Sequence, residues 1–296
     1  MRVDCPKITQ VMKEEELIET VPRYDGWIIG DDPATARVFA AGVRGKLRAA
    51  VKWGVGVDNV DFEGAAQAGL SVTNTPGMFS DEVADLAMSY VVALSRESIA
   101  VSEGVWAGQW PKPVGMSLKG KVAALVGFGN IGQATAARML AAKLQLLVYD
   151  PYYQGGSPLE SSVTFHAWPE RIESADFIVL CCSLTATNRH LLNSQLLRAC
   201  KPGVRIVNVS RGPLIDEQAL VAALATGAVH SAALEVFEVE PLPLDSPLRQ
   251  YRNCIFGSHN GSNTQEAVDA TSFRAIELLS KSFEVANGIA STGSKT

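Results

Sequence analysis

The chain has 296 residues, of which 47% are hydrophobic and 19% charged, and its formal net charge at pH 7 is −5. A globular chain of this length has room for two domains, each with its own core. Because it carries no basic cluster, no run of ~20 apolar residues and no signal-peptide pattern, we expect a cytoplasmic protein without nucleic-acid or membrane partners.

The five cysteines indicate neither a disulfide framework nor a metal site. Their number is odd and no CxxC pattern occurs. Cys181 and Cys182 lie within an apolar run that is predicted to be a strand. We therefore expect buried thiols and no bound metal.

Residues 1–95 are predicted to form a substrate domain in which short strands alternate with helices. The main strands are expected at Trp27–Gly30, Leu47–Trp53 and Leu70–Thr73. Such alternation is typical of a parallel sheet with helices on its faces, here a small flavodoxin-like α/β domain. A C-terminal helix, within 270–296, is predicted to return to this domain.

A long helix is predicted to begin at Ser80, which is a suitable N-cap with acidic residues in the next turn. Its apolar stripe, from Val83 to Leu94, is wider than one small domain would cover. The helix is therefore predicted to span both domains. Trp106 and Trp110, in the loop that follows, are interpreted as packing residues between the domains.

Residues 96–269 are predicted to form a Rossmann-type domain with a doubly wound parallel sheet. Its central feature is a buried strand, Val122–Val126, followed by Gly127-Phe-Gly129-Asn-Ile-Gly132 and a helical pattern. In such a unit the first glycine allows the tight turn, the second admits a pyrophosphate and the third permits close helix packing. The free N–H groups at the start of the helix then face the phosphates.

The choice of dinucleotide depends on Asp150, which ends the next predicted strand. An acid in this position is an acceptor for the ribose 2′-hydroxyl. The following residues, Pro151, Tyr152 and Tyr153, offer no charge to neutralise a 2′-phosphate. The sequence therefore predicts NAD as the cofactor in preference to NADP.

Three later strands are followed by chemically useful side chains. Arg211 follows a strand at Val204–Val209, Glu240 lies after one at Ser231–Val236, and His259 comes after a short one at Cys254–Phe256. Ligands of open α/β sheets bind outside the carboxyl ends of strands. Arginine holds a carboxylate bidentately, and a histidine beside an acid exchanges a proton.

These segments resemble the D-isomer-specific 2-hydroxyacid dehydrogenases of the phosphoglycerate dehydrogenase-like kind. The resemblance covers nearly the whole chain and rests on motifs that are specific in combination. They are Lys52-Trp-Gly-Val-Gly-Val-Asp-Asn-Val-Asp61, Asn74-Thr-Pro-Gly77, Lys201-Pro-Gly203, Asn208-Val-Ser-Arg-Gly212 and Ala233-Leu-Glu-Val-Phe-Glu-Val-Glu-Pro241.

The resemblance implies hydride transfer between NAD and a small D-2-hydroxy acid or its 2-keto form, with roles for individual residues. Arg211 binds the substrate carboxylate and carbonyl, His259 is the acid/base, and Glu240 is its acidic partner. The backbone around Val55 and Gly56 helps to hold the carboxylate. Lys52 stands where some relatives carry an arginine for a distal phosphate, so a phosphoglycerate-like substrate with a second anionic group stays open. A homodimer, paired through its nucleotide domains, is also implied.

The glycine pattern and the resemblance together predict a set of cofactor-binding residues. The set is Gly127, Gly129, Asn130, Ile131, Gly132, Asp150, Cys182, Ser210, Glu235 and His259. Glu235 stands where the family usually has an aspartate near the nicotinamide amide.

The sequence departs from the family pattern in further places. Phe79 replaces a polar residue of the substrate loop, and His259 is followed by Asn260-Gly261-Ser262 instead of the commoner apolar-Gly-Gly. Family members usually begin with one more strand and helix. Here the chain starts on a brief strand predicted at Arg2–Cys5, so either its start is shortened or the substrate domain folds without a central strand. We expect the shortened start, with reduced stability as its result.

Two other functions compete with the dehydrogenase. A NAD-sensing regulatory protein of the same fold would account for Phe79 and the short start, whereas Arg211, Glu240 and His259 favour an enzyme. An unrelated dehydrogenase would use a base other than His259. Each of the three residues also has an ordinary explanation: a surface ion pair for the arginine, a solvated acidic loop for the glutamate and a bonded loop position for the histidine.

Overall fold

A computed structural model describes residues 3–7 and 11–286. It divides the chain into two compact units. The smaller unit contains the residues up to Phe79 together with those from Thr264 onward, and the larger unit is Ser80–Asn263.

The described helices are numbered in chain order. They are α1 (Glu14–Thr20), α2 (Ala36–Arg44), α3 (Phe62–Gln67), α4 (Ser80–Arg96), α5 (Ser98–Trp106), α6 (Asn130–Ala141), α7 (Ser194–Ala199), α8 (Glu217–Thr226) and α9 (Gln265–Ala286). The strands are β1 (Gly26–Ile29), β2 (Ala49–Lys52), β3 (Val72–Asn74), β4 (Val122–Val126), β5 (Gln145–Tyr149), β6 (Thr164–Phe165), β7 (Phe177–Leu180), β8 (Val204–Asn208), β9 (Val229–Leu234) and β10 (Ile255–Phe256).

The smaller unit is a three-stranded parallel sheet, in the order β1-β2-β3, with helices on both faces. Side chains of a strand alternate between faces, and β2 shows this in its packing. Ala49 and Val51 pack against Ala275 and Leu279 of α9, whereas Ala50 joins the core beneath α1, α2 and α3. Both faces of β2 are therefore buried.

The larger unit is a seven-stranded parallel sheet in the order β10-β9-β8-β7-β4-β5-β6. Helices α4 and α6 pack on one face of the sheet, and α7 and α8 cover the core on the other. The strand order reverses between β4 and β7, and ligands of open α/β sheets bind at this switch point. The predicted fold class, a Rossmann-type sheet with a smaller parallel α/β unit, is confirmed.

The unit boundaries lie away from the predicted ones. The sequence placed them at 95/96 and 269/270, whereas the compact units divide at 79/80 and 263/264. The physical reason for the first shift is that α4 packs against α6, β8 and β9. Arg138 of α6 also pairs with Asp81 and Asp85 at the start of α4. Helix α4 therefore belongs to the larger unit.

Two local predictions are wrong, and one of these, together with a third prediction, extends beyond the residues that the structure describes. Trp106 and Trp110 do not pack but are 89% and 76% exposed. Residues 3–5 form no strand, and Arg2 of the predicted Arg2–Cys5 strand lies outside the described residues. The same holds for residues 287–296 of the predicted C-terminal helix. Among the described helices, none combines the length and apolar character needed to cross a bilayer.

Candidate active site

The glycine loop after β4 is shaped by contacts that exclude side chains at two of its three glycines. Gly127 has φ 95°, and a Cβ there would lie 2.6 Å from the main chain of Cys182. A Cβ on Gly132 would overlap the carbonyl oxygen of Gly127. These two glycines are therefore required by the turn and by the close packing of α6 on β4.

Gly129 differs, because a Cβ there would meet no protein atom within 4 Å. It is the N-cap of α6, and Asn130 and Ile131 begin the helix. Open space in front of a helix N-terminus, with N–H groups directed into it, is the environment that a pyrophosphate requires. The loop therefore fits a dinucleotide.

Asp150 follows β5 and lies beside this loop. Its Oδ2 accepts a hydrogen bond from the N–H of Phe128, at 2.7 Å, and its Oδ1 accepts one from the N–H of Tyr152, at 2.9 Å. A carboxylate has further lone pairs for a ribose hydroxyl. Asp150 thus combines a fixed position with remaining acceptor capacity, which fits the ribose of NAD.

Cys182 and Ser210 come together on the other side of the switch point. The hydroxyl of Ser210 donates to the carbonyl of Cys182, and the N–H of Ser210 donates to Oδ1 of Asn208 at 3.0 Å. Burial raises the pKa of the Cys182 thiol to about 11, so this thiol is neutral near pH 7. The two residues border the glycine loop through the main chain of Cys182.

His259 and Glu240 form a direct pair. Nδ1 of His259 lies 2.7 Å from Oε2 of Glu240, and the two side chains are 29% and 22% exposed. Oε1 of Glu240 accepts a hydrogen bond from the N–H of Phe237 at 2.9 Å. A carboxylate in this position stabilises a protonated imidazole. Glu240 is therefore not the solvated acid of a surface loop.

Arg211 lies in the loop after β8, next to the loop that carries Glu240. A Cβ on Gly212 would overlap the carbonyl group of Phe237, so the two loops touch. Asn208, which is fully buried, donates from Nδ2 to the carbonyl of Arg211 at 2.9 Å. The guanidinium donates to the carbonyl of Ser210, also at 2.9 Å. The main chain around Arg211 is thus held on both sides.

Glu235 occupies a buried position behind the histidine loop. It is 3% exposed, and its Oε2 accepts a hydrogen bond from the hydroxyl of Tyr90 at 2.5 Å. Its Oε1 accepts a hydrogen bond from the N–H of Asn260. The structure therefore gives the carboxylate of Glu235 two partners within the protein.

Glu238, two residues before Glu240, has a structural role. It accepts hydrogen bonds from His190, at 2.6 Å, and from Arg189, at 3.3 Å. Its main-chain N–H donates to Glu217 at 2.7 Å. These bonds fix the loop after β9. Glu238 therefore holds the loop in place, whereas Glu240 pairs with His259.

The residues that sequence reasoning placed in the substrate site of the smaller unit cluster at the end of β2. Lys52 is 3% exposed, and its Nζ donates to the carbonyl of Gly30 at 2.6 Å and to Oδ1 of Asp31 at 3.3 Å. Val55 is exposed and Gly56 half-buried. Phe79 is buried against Trp53, with ring centroids 5.2 Å apart, and so serves as packing.

Tyr90 and Asn208 were given no role by sequence reasoning. The sequence pattern predicts only that Tyr90 belongs to the apolar stripe of its helix, and no local pattern identifies the partner of its hydroxyl. Asn208 occurs at the end of a buried strand, where a polar residue needs hydrogen bonds. That position is the signal by which it could have been found.

A nucleotide crevice at the switch point, with an imidazole–carboxylate pair on the neighbouring strand ends, is the arrangement of a nicotinamide-dependent oxidoreductase. The sequence comparisons narrow this class. The chain belongs to the D-isomer specific 2-hydroxyacid dehydrogenase family, whose NAD binding domain matches residues 88–261. NAD is therefore its cofactor.

Individual relatives agree with the family. The chain is 35% identical over 279 residues to a hydroxypyruvate reductase of Thermotoga maritima, covering 92% of this chain and 88% of the relative. It is 32% identical to D-3-phosphoglycerate dehydrogenase 2, chloroplastic, of Arabidopsis thaliana, covering 94% of this chain but 44% of that one. The crystal structure of the TT0316 protein from Thermus thermophilus superposes with a TM-score of 0.84 at 32% identity, covering 92% of this chain and 87% of that one.

Proposed function

We propose that this enzyme interconverts a small 2-keto acid and its D-2-hydroxy acid, with His259 as the proton donor in the reducing direction. The 2.7 Å contact between His259 and Glu240 carries the proposal. An imidazolium stabilised by a carboxylate can protonate a carbonyl oxygen and can take the proton back in the reverse direction. The relatives named hydroxypyruvate reductase and D-3-phosphoglycerate dehydrogenase act on acids of this class.

The cofactor supplies the chemistry of the reaction, and residues of the chain bind the cofactor. NAD, when bound, supplies the hydride chemistry. Gly127, Gly129, Asn130, Ile131 and Gly132 are proposed to hold its pyrophosphate. Asp150 is proposed to hold the ribose, and Cys182 and Ser210 to border the cofactor beyond β7 and β8.

Arg211 is proposed to orient the substrate. Its guanidinium stays charged at every relevant pH and matches a carboxylate with two parallel hydrogen bonds. The same charge stabilises the negative charge that develops on the carbonyl oxygen during reduction. The support in the larger unit is the contact between the loops after β8 and β9, through Gly212 and Phe237.

Lys52, Val55 and Gly56 are proposed to contribute substrate contacts from the smaller unit. The loop after β2 is anchored by the N–H of Gly54, which donates to Oγ1 of Thr75 at 2.8 Å. Lys52 already donates to Asp31, which offsets part of its charge. We therefore propose a substrate with a single carboxylate, such as hydroxypyruvate or glyoxylate, in preference to one with a distal phosphate.

A panel of keto acids with NADH tests the function. Glyoxylate, hydroxypyruvate, pyruvate and 3-phosphohydroxypyruvate are compared by kcat/KM. We expect turnover with at least one of them and a higher kcat/KM for hydroxypyruvate than for its phosphorylated form. His259→Gln should lower kcat by ~10²–10⁴-fold, the usual contribution of a general acid. Arg211→Lys should lower kcat/KM by about tenfold or more, because it weakens both the bidentate contact with the carboxylate and the stabilisation of the carbonyl oxygen.

His230→Gln and Arg198→Lys are the matched controls. His230 lies in β9 and pairs with Ser231 and Glu97, and Arg198 is exposed on α7. Both variants should keep the activity of the wild type. NADH binding without turnover on any acid would contradict the proposal and support the NAD-sensing alternative. Near wild-type activity of His259→Gln would indicate a different base.

We further propose a cytoplasmic homodimer. Helix α5 has no buried residue, and Trp106, Trp110 and Val114 on it and after it are between 76% and 96% exposed. Exposed apolar patches of this kind on a soluble domain favour association with a second copy. The cytoplasmic location is supported by the cysteines of the described residues, which are all free thiols. Fractionation of cells that express the tagged protein would test it.

A further inference from the structure

The carboxylate of Glu235 is engaged on both oxygens by groups behind the active site. Tyr90 donates its hydroxyl to Oε2 at 2.5 Å, and the N–H of Asn260 donates to Oε1. Burial of an ionised carboxylate is unfavourable unless it accepts such bonds. These two donors therefore explain why an acid is tolerated at a position that is 3% exposed.

Tyr90 is suited to be a permanent donor. It is 8% exposed in the middle of α4. Burial raises the pKa of its phenol well above the usual value, and the hydrogen bond and negative charge of Glu235 raise that pKa further. The hydroxyl therefore keeps its proton throughout the pH range in which an enzyme works.

The main chain of His259 has a conformation that needs support. Its φ is 55°, in the left-handed region that residues with a side chain seldom adopt. The N–H of His259 donates to the carbonyl of Glu235 at 2.8 Å, and the next N–H, of Asn260, donates to the Glu235 carboxylate. Glu235 thus holds the chain directly before and directly after the Cα of His259, which keeps an unfavourable conformation in place.

The length of the glutamate matches the space provided for it. A Cβ on Gly257 would overlap Oε2 of Glu235 and would lie 2.8 Å from the hydroxyl of Tyr90. The carboxylate therefore occupies the space that a side chain at position 257 would fill. An aspartate is one methylene shorter and would not reach both Tyr90 and the N–H of Asn260.

We propose that Glu235, anchored by Tyr90, is a positioning residue that fixes the main chain of His259 and thereby the direction of its imidazole towards Glu240. This role replaces the contact with the nicotinamide amide that its position in the family implies. The proposal rests on the proposed function of His259 as proton donor.

Three variants test this role: Tyr90→Phe, Glu235→Gln and Glu235→Asp. If Glu235 positions His259, each should lower kcat by about tenfold, a part of the usual contribution of a general acid. The pH profile of kcat should shift in each, while the Kd for NADH stays within about twofold of the wild type. Tyr90→Phe combined with Glu235→Gln should cost no more than the larger single loss, because the residues act as one unit.

Tyr251→Phe is the matched control, because it likewise removes a hydroxyl that donates a hydrogen bond, here to the main-chain carbonyl of Val221 at 3.2 Å and not to a carboxylate. It should keep the wild-type pH profile. If Glu235 instead binds the nicotinamide, Glu235→Gln should weaken NADH binding, Glu235→Asp should retain full activity, and Tyr90→Phe should behave like the control. Any of these results overturns the proposal.

Amide hydrogen exchange separates this proposal from the proposed function. In Tyr90→Phe, which keeps the packing of the ring, exchange at the N–H groups of His259 and Asn260 should be at least about tenfold faster than in the wild type. If the wild type turns over no keto acid, the proposed function fails, and the exchange result still decides the positioning role. If the wild type is active but exchange at these N–H groups is the same in Tyr90→Phe as in the wild type, the positioning role is overturned and the proposed function is not.

Discussion

Oδ2 of Asp150 accepts a hydrogen bond, 2.7 Å long, from the main-chain N–H of Phe128. The acid at the end of β5 therefore holds the glycine loop that follows β4. Replacing Asp150 by alanine should have two consequences: it loosens the loop, which affects every dinucleotide, and it removes the acceptor that we propose for the 2′-hydroxyl of an unphosphorylated ribose.

Asp150→Ala should accordingly weaken NAD binding more than NADP binding. A hydrogen bond to a charged group contributes ~1.5–3 kcal/mol, so we expect a preferential loss for NADH of about tenfold or more. Fluorescence titration with NADH and NADPH measures both affinities. The exposed Asp245, changed to alanine, is the control and should leave both unchanged. Equal losses for the two cofactors at Asp150 would contradict the assignment of NAD recognition to this residue.

The three glycines of the loop should respond differently to alanine. Gly132→Ala places a methyl group where the carbonyl oxygen of Gly127 leaves no room, so stability should fall by ~1–3 kcal/mol. Gly129→Ala meets no protein atom and should unfold at the wild-type temperature. Because its methyl group projects into the space proposed for the pyrophosphate, NADH should bind at least about tenfold more weakly.

Thermal unfolding and NADH titration of both glycine variants check this contrast. Gly132→Ala should mainly lower the unfolding temperature. Gly129→Ala should change only the affinity for NADH. Wild-type affinity in Gly129→Ala would show that the pyrophosphate lies elsewhere.

Because of Asp176, the free energy of unfolding should depend on pH in the acidic range. Burial alone would raise the pKa of its carboxyl, but hydrogen bonds from Lys201, at 2.7 Å, and from the N–H of Val122, at 3.0 Å, outweigh it and leave the pKa below the usual value. A lowered pKa in the folded state means that the carboxylate stabilises the fold above its unfolded pKa of ~3.9. This contribution is lost as the pH falls through the folded-state pKa.

Asp176→Asn should therefore be less stable than the wild type by ~1–3 kcal/mol at pH 7, and the difference should shrink below about pH 4. Urea unfolding at fixed protein concentration, at several pH values between 7 and 3, gives the two stability curves. Asp245→Asn is the exposed control. A difference that stays constant down to the lowest pH would contradict the ion pair as its source.

The exposed aromatic surface of α5 and the segment after it should control self-association. The double variant Trp106→Glu, Trp110→Glu places two charges on this surface and should convert the expected dimer to a monomer in sedimentation equilibrium. Leu244→Glu, at another exposed apolar residue, should leave the dimer intact. A wild-type monomer, or a double variant that still sediments as a dimer, would contradict the proposed surface.

The sequence predicts the buried strands of both sheets well because such parallel strands are continuous apolar runs, whereas the short, exposed β6 is not predicted. Val122–Val126 is predicted and observed with the same bounds. Helix α5 was missed because it carries apolar residues on all sides, without the one-sided stripe that identifies a packed helix. Tryptophan is highly buried on average, which is why the sequence indicates packing for Trp106 and Trp110, although the structure leaves both exposed.

The candidate site was predictable to the level of strand ends but not of contacts. Arg211, Glu240 and His259 follow successive strands, and β8, β9 and β10 are neighbours in the sheet. The bond between Tyr90 and Glu235 joins residues 145 positions apart. It depends on the packing of α4 against β9, which no local pattern encodes. The directions and contacts of the side chains in the candidate site are therefore known only from the structure.

The thiols have a practical consequence for labelling. Maleimides and similar reagents attack the thiolate. Burial raises the pKa of Cys181 to about 12 and the pKa values of Cys182, Cys200 and Cys254 to about 11. Cys5 is exposed. A fluorophore added near neutral pH should thus attach first at Cys5 and report on the smaller unit without any engineered cysteine.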